Sequence, residues 1–184
     1  MTQPFDSRGL YRGVEALAQV SAGRSSSADA FAAWVGPHWS AMTGLAMRLS
    51  RPSDVEDVVQ EALAVAWKQW ERYDPSRGSA RTWLLALTAD QARRITRRRR
   101  WRIVPAECGA EPVIEQVLPD TDLLRAIDTL SGRQRLAVEL YYYLGLPIAE
   151  VAQTMGCAEG TVKSTLADAR ASLRRNLGAN YRDG

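Results

Sequence analysis

From Phe31 the apolar positions Phe31, Trp34, His38, Met42, Leu45 and Leu49 recur at steps of three and four. That spacing lines one face of an α-helix. In "RPSDVEDVVQEALAVAWKQWERYDP", Val55, Val59, Ala62, Ala66 and Trp70 form a second stripe, and Ser53 and Glu56 stand at capping-box spacing ahead of it. The stripe ends near Asp74-Pro75, and "DPSRGS" reads as a turn. Ser79 then caps a third helix carrying Trp83, Leu84, Leu87 and Ile95, with Trp83 expected in its core. Further on, Leu123, Leu124, Ile127 and Leu130 predict a short helix. Ser131 and Gln134 form another capping box before Leu136, Leu140 and Tyr143, and Gly145 stops that helix. Pro147 fits a helix N1 position, Ile148, Val151, Ala152 and Met155 supply a short stripe ended by Gly156, and Val162, Leu166, Ala169, Leu173 and Leu177 run along a final helix. No segment has the alternation of a strand, so the expected fold class is all-α.

Two segments break this periodicity. "ARRITRRRRWR", residues 92–102, holds seven arginines on the C-terminal half of the third helix. Cations favour a helix C-terminus, but this many exceed what a dipole of about half a charge rewards, so their mutual repulsion calls for a polyanion. Directly after it, "IVPAECGAEPVIEQVLPDTD" contains three prolines, five acids and no base. Prolines at that spacing exclude a helix, and the segment reads as a linker. The division that follows is a flexible lead-in over 1–28, a helical domain over 29–102, a linker over 103–121 and a second helical domain over 122–180.

Composition narrows the function classes. The formal charge is only +3 because 21 acids nearly offset 24 bases, so the basic signal lies in clustering rather than in the total. Cys108 and Cys157 stand apart without companions at metal-ligand spacing, so neither a zinc site nor a disulfide framework is suggested, and free thiols suit a reducing cytoplasm. No run approaches the roughly 20 apolar residues of a membrane span, and no signal-peptide core stands at the N-terminus. His38, the only histidine, lies on an apolar stripe without a partner for catalysis or metal binding, and is expected in the core.

The two short helices around Gly156-Cys157 have the proportions of a helix-turn-helix, although a plain helical hairpin with a basic face gives the same local pattern. With Val162 and Leu166 inward, Glu159, Lys163, Ser164, Ala167 and Asp168 face outward, and Arg170, Arg174 and Arg175 follow as candidate phosphate contacts. On the third helix Arg93, Arg94, Arg97 and Arg98 form a charge stripe suited to a phosphate backbone, with Tyr73, Trp83 and Trp101 beside it as possible platforms for unstacked bases. Asp54, Glu56 and Asp57 complement the start of the second helix. Gln60 and Glu61 lie beyond its first turn and suit the docking of a basic protein surface.

Together these residues give the chain a family resemblance. "DVEDVVQEALAVAWKQWERYDPSRGSARTWLLAL" resembles region 2, and "LSGRQRLAVELYYYLGLPIAEVAQTMGCAEGTVKSTLADARASLR" region 4, of bacterial RNA polymerase sigma factors of the extracytoplasmic-function (ECF) group. The resemblance implies a specificity subunit, not an enzyme, without cofactor or metal, which binds core polymerase and opens promoters in the cytoplasm. It places Asp54, Glu56, Asp57, Gln60 and Glu61 on the coiled coil of the largest polymerase subunit, with region 4 near the flap. It assigns the minus-ten element to Tyr73, Asp74, Ser76, Arg77, Ser79, Arg81, Asp90, Gln91, Arg94, Arg97 and Arg98, which would capture a flipped base and hold single-stranded backbone. Glu159, Thr161, Lys163, Ser164, Thr165 and Arg170 would read the duplex minus-thirty-five element, the acidic linker would thread the RNA channel, and an anti-sigma protein is an implied partner. The chain departs from the family at Ala89-Asp90, where Arg-Asn is common, and at Thr165 and Asp168, where arginine is frequent. Ala158 replaces a frequent capping serine.

Two other classes fit less of the sequence. A duplex-DNA regulator would need an effector domain in the first half, which offers no strands and no acid at a strand end. A hydrolase or metal enzyme would need a nucleophile, a metal or an acid–base set, and none is apparent.

Overall fold

The structure, a computed structural model, describes residues 27–101 and 121–180. It divides into two compact units, Met1–Trp39 and Ser40–Gly184. Residues 103–120 of the linker, Cys108 among them, and most of the lead-in lie outside the described residues, while Thr121, expected in the linker, begins a helix. Ser27 and Ala28, expected in the lead-in, instead begin a helix, α1, over 27–35.

In the first unit the rings of Phe31 and Trp34 lie 6.0 Å apart. The continuous helix expected from Phe31 to Leu49 is interrupted by a 3-10 turn at Gly36–His38. Pro37 supplies no N–H and restricts the residue before it, so the chain changes pitch there. His38 is half-buried in that turn.

From Ser40 the second unit runs through α2 (Trp39–Leu49), α3 (Val55–Gln69) and α4 (Ala80–Trp101), then α5 (Thr121–Asp128), α6 (Gly132–Val138), α7 (Ile148–Met155) and α8 (Glu159–Asn180). No strand occurs among the described residues. Ala46, Val58, Val59 and Ala92 form the seam of α2, α3 and α4. Ser79 caps α4 as expected, its Oγ accepting the Thr82 N–H at 3.1 Å. The Ser53–Glu56 capping box does not form. A 3-10 turn over Pro52–Asp54 precedes α3, and Ser53 Oγ donates to Asp54 Oδ1 at 3.2 Å instead.

The box at Ser131 forms in full: its Oγ accepts the Gln134 N–H, and Gln134 Oε1 accepts the Ser131 N–H. The helix it opens does not continue regularly to Tyr143. After Val138 it widens into a π-helical turn over Glu139–Tyr143, closed by the N–H of Leu144 donating to Glu139 O at 3.0 Å. This turn buries Glu139 and Leu140 and leaves Tyr141, Tyr142 and Tyr143 exposed, so Tyr143 is off the apolar stripe on which the spacing put it. Pro147 is the N-cap of α7 rather than its first residue. Gly156, at φ 61°, ends α7 in the left-handed conformation that favours glycine, and the next helix follows at once.

The two helical regions, expected as separate domains, share one core within the second unit. Leu45 of α2 with Leu85 and Ala89 of α4 join Leu130, Ala137, Leu140, Leu146, Val151, Val162 and Leu166. The face of α4 turned away from α3 is itself apolar, and region 4 covers it. Leu85 is fully buried there. Leu85→Ala is therefore expected to lower stability by about 2–5 kcal/mol, against about 1 kcal/mol for Ser131→Ala, in urea unfolding followed by circular dichroism. Equal losses would contradict this ranking.

Candidate nucleic-acid interface

The turn between α3 and α4 is held by its own polar groups. Asp74 Oδ1 accepts the Ser76 N–H at 2.9 Å and the Ser76 hydroxyl at 2.7 Å, and Arg77 N–H donates to Asp74 O at 3.1 Å. Tyr73 Oη reaches across the turn and donates to Gly78 O at 2.8 Å. Gly78 has φ 153°, and a Cβ there would stand 3.2 Å from Gln153 Oε1. The Tyr73 and Trp83 rings lie 5.5 Å apart. These residues border a cleft of about 300 Å³ lined by Tyr73, Asp74, Arg77, Thr82, Trp83 and Gln153. Trp83 is half-buried and borders this cleft, whereas its spacing had put it in the core. Gln153 belongs to region 4, and sequence reasoning did not connect it to this cleft.

On α4 the exposed arginines divide into two groups. Asp90 engages Arg93 Nη2 at 2.9 Å and Arg94 Nε at 2.7 Å, so this departure from the family pattern neutralises part of the stripe. Arg97 and Arg98 are exposed and carry no ion pair among the described residues. Three residues assigned to the minus-ten set are engaged within the fold. Gln91 is buried on the inner face of α4, beside the buried Thr88 and Ala92. Arg81 is half-buried and its Nη2 donates to Leu144 O at 3.1 Å. Ser79 is occupied in capping. Of Arg100 and Trp101 only the backbone is described.

Glu56, Asp57, Gln60 and Glu61 are exposed along α3, with Gln60 Nε2 donating to Glu56 Oε1 at 2.9 Å. Asp57, Gln60 and Glu61 line a groove with Arg98 and Ile95 of α4. Asp54, expected in this docking set, lies apart from the exposed row. It is buried, and Arg99 Nη2 lies 2.6 Å from its Oδ1, tying the start of α3 to the end of α4.

In the helix-turn-helix, Glu159, Thr161, Lys163, Ser164 and Arg170 are exposed on α8. Ala158 offers only its carbonyl, which accepts the N–H groups of Thr161 and Val162. Thr165, assigned to base reading, is buried and its hydroxyl donates to Thr161 O at 2.7 Å. Asn176 Nδ2 donates to Thr129 Oγ1 at 2.6 Å and anchors α8 on the turn after α5.

The Asp74 carboxyl is held below its ordinary value of 3.8, first by the Ser76 hydroxyl, then by the Ser76 N–H and the charge of Arg77. A depressed carboxylate favours the folded turn when ionised. Its contribution is complete above the ordinary value and is lost as pH falls through the depressed one. In an NMR carboxyl titration, Ser76→Ala is expected to raise the Asp74 midpoint. An unchanged midpoint would mean that these hydrogen bonds do not shape the turn.

Comparisons with known proteins agree with this architecture. The sequence matches Sigma-70 region 2 over residues 37–102 and Sigma-70 region 4 over residues 120–173. It is 33% identical over 163 residues to the ECF RNA polymerase sigma factor SigK of Mycolicibacterium vanbaalenii, covering 82% of this chain and 83% of that one. It is 32% identical over 170 residues to SigL of Mycobacterium tuberculosis, covering 88% and 96%. Among solved structures it is similar to the sigma factor RpoE in complex with the anti-sigma factor NepR from Bartonella quintana, with TM-score 0.63 and 25% identity over 78% of this chain and 94% of that one. CnrH in complex with the cytosolic domain of CnrY shares the fold, with TM-score 0.60 and 23% identity over 82% and 89%. The chain belongs to the ECF RNA polymerase sigma factors, the subunits that bind core polymerase and recognise promoters to start transcription.

Proposed function

We propose that the chain divides this work among named surfaces. Glu56, Asp57, Gln60 and Glu61 dock on the coiled coil of the largest polymerase subunit. Tyr73, Asp74, Ser76 and Arg77 receive a flipped base of the minus-ten element, and Arg94, Arg97 and Arg98 hold its unpaired backbone. Glu159, Thr161, Lys163, Ser164 and Arg170 read the minus-thirty-five element as duplex, with region 4 beside the flap. The observation that carries this reading is the pairing of an exposed carboxylate row on α3 with an exposed guanidinium row on α4. Carboxylates repel phosphate, so the α3 row suits a basic protein, whereas Arg97 and Arg98 suit DNA.

In this reading 29–102 and 122–180 act as separate domains, and the five acids of 103–122 mimic RNA in the polymerase channel. An anti-sigma protein, of the kind bound to RpoE in its solved complex, covers the docking surfaces. The chain acts in the cytoplasm as a DNA-binding regulator rather than an enzyme, and no helix among the described residues is long and apolar enough to cross a membrane.

Asp57→Lys with Glu61→Lys is expected to abolish co-purification with core polymerase while helical circular dichroism is retained. Undiminished co-purification of the folded variant would exclude α3 as the docking helix. Arg97→Ala with Arg98→Ala is expected to leave core binding intact and to flatten the salt dependence of promoter binding by about 0.7 in log–log slope per lost single-strand contact. An unchanged slope would take these arginines off the DNA.

A further inference from the structure

One side of α4 leads from the cleft assigned to the flipped base into the arginine row. Trp83 and Ala86 border that cleft with Tyr73, Asp74 and Arg77. Asp90, Arg93 and Arg97 follow at steps of three and four, which keeps all five on one side of the helix. At about 1.5 Å of rise per residue, Arg93 stands roughly 10 Å along the axis from Ala86, or about three base steps of roughly 3.4 Å. A base near the flipped one is therefore within its reach.

The ion pairs of Asp90 set Arg93 apart from the rest of the row. Asp90 Oδ1 accepts from Arg93 Nη2 at 2.9 Å while its Oδ2 accepts from Arg94 Nε at 2.7 Å, so one carboxylate faces two guanidinium groups. Two positive charges less one negative leave a single charge on the trio, enough for one phosphate. Arg94, held through Nε, keeps its Nη pair for that contact. A second phosphate at Arg93 would meet the Asp90 carboxylate beside the guanidinium it approached. A base edge is uncharged and meets no such repulsion. Arg93 is also the most exposed of the three, at 73% against 55% for Arg94 and 34% for Asp90, and only one of its five N–H donors is spent on the carboxylate.

Guanine is the base whose edge fits such a group. Its N7 and O6 are two neighbouring acceptors, whereas adenine and cytosine present an amine there and thymine a single acceptor beside a methyl group. The pair with Asp90 holds the guanidinium before DNA arrives, so less side-chain freedom is lost on contact. Arg97 and Arg98, exposed and without an ion pair among the described residues, stay suited to the backbone.

We propose that Asp90 is a positioning residue that makes Arg93 a reader of guanine, at one position of the minus-ten element within about three base steps of the flipped base. This rests on assigning the 73–77 turn to the flipped base and α4 to the minus-ten element.

The test is a selection by core polymerase carrying the full chain, from promoter fragments randomised across the minus-ten region, followed by filter binding of the selected promoter. Guanine on one strand at one position is expected to be enriched roughly tenfold over each other base. Arg93→Ala is expected to remove that preference and to leave the other positions unchanged. Asp90→Asn keeps the side-chain shape without the charge. It is expected to weaken the preference and to steepen the salt dependence of binding by about 0.7–0.9 in log–log slope, as Arg93 turns to phosphate. Asp90→Glu, which can still pair at i, i+3 and i, i+4, is expected to restore the preference. Replacing the selected guanine by 7-deazaguanine, which lacks the N7 acceptor, is expected to weaken binding of the parent but not of Arg93→Ala. Selection of other bases with no guanine position, a guanine preference that survives Arg93→Ala, or an equal loss from 7-deazaguanine in both proteins would overturn base reading by Arg93. A preference left unchanged by Asp90→Asn would overturn the positioning role. Failure of the minus-ten assignment reads out differently, as no base selected at any minus-ten position and an unchanged salt slope in the Arg97, Arg98 variant.

Discussion

Arginines at successive turns of one helix repel each other, and α4 tolerates them because its other side is deeply buried. Leu84, Leu85, Thr88, Ala89 and Ala92 hold it against its neighbours, which fixes Arg93, Arg94, Arg97 and Arg98 at the surface. Part of the charge is offset internally, by Asp90 on two arginines and by the buried Asp54 on Arg99. The rest faces outward on a rigid element, which suits a polyanion whose counterions are released on contact. The Asp54–Arg99 pair joins the beginning of α3 to the end of α4, and so sets the spacing between the carboxylate row and the guanidinium row.

The same burial gives the two regions a common core. α4 has two apolar faces, one against α2 and α3 and one against region 4. Fully buried Leu85, with Ala89 beside it, supplies the α4 side of this shared core, and Leu45 of α2 joins them. Polar contacts flank it, Glu139 with Arg48 and Arg81 with Leu144 O.

Much of the helical order was legible in periodicity and punctuation, because those signals are local. Ser79, Ser131 and Gly156 end or begin helices where their side chains or backbone freedom require it. What local spacing does not carry is tertiary. Ser53 stands at the spacing of a capping box, but its hydroxyl turns to Asp54, whose carboxylate is drawn inward to Arg99. The widening of α6 into a π-helical turn moves Tyr143 off the stripe and buries Glu139, and no residue spacing announces it. The burial of Gln91 and Thr165, expected at the DNA surface, is likewise not visible in one dimension. The Arg48–Glu139 pair joins residues far apart in sequence. Only charge type hinted at it. The acidic row of α3 and the arginines of α4 were legible because surface charge needs no partner to be seen.

Promoter opening, as the sigma subunit of polymerase, is the activity to which all these surfaces contribute. Permanganate footprinting of promoter fragments with core enzyme, this chain and their mixture tests that most directly. Reactive, unpaired thymines around the minus-ten position are expected only when both proteins are present. Protection of duplex DNA by the chain alone, with no reactive thymines on adding core, would contradict it.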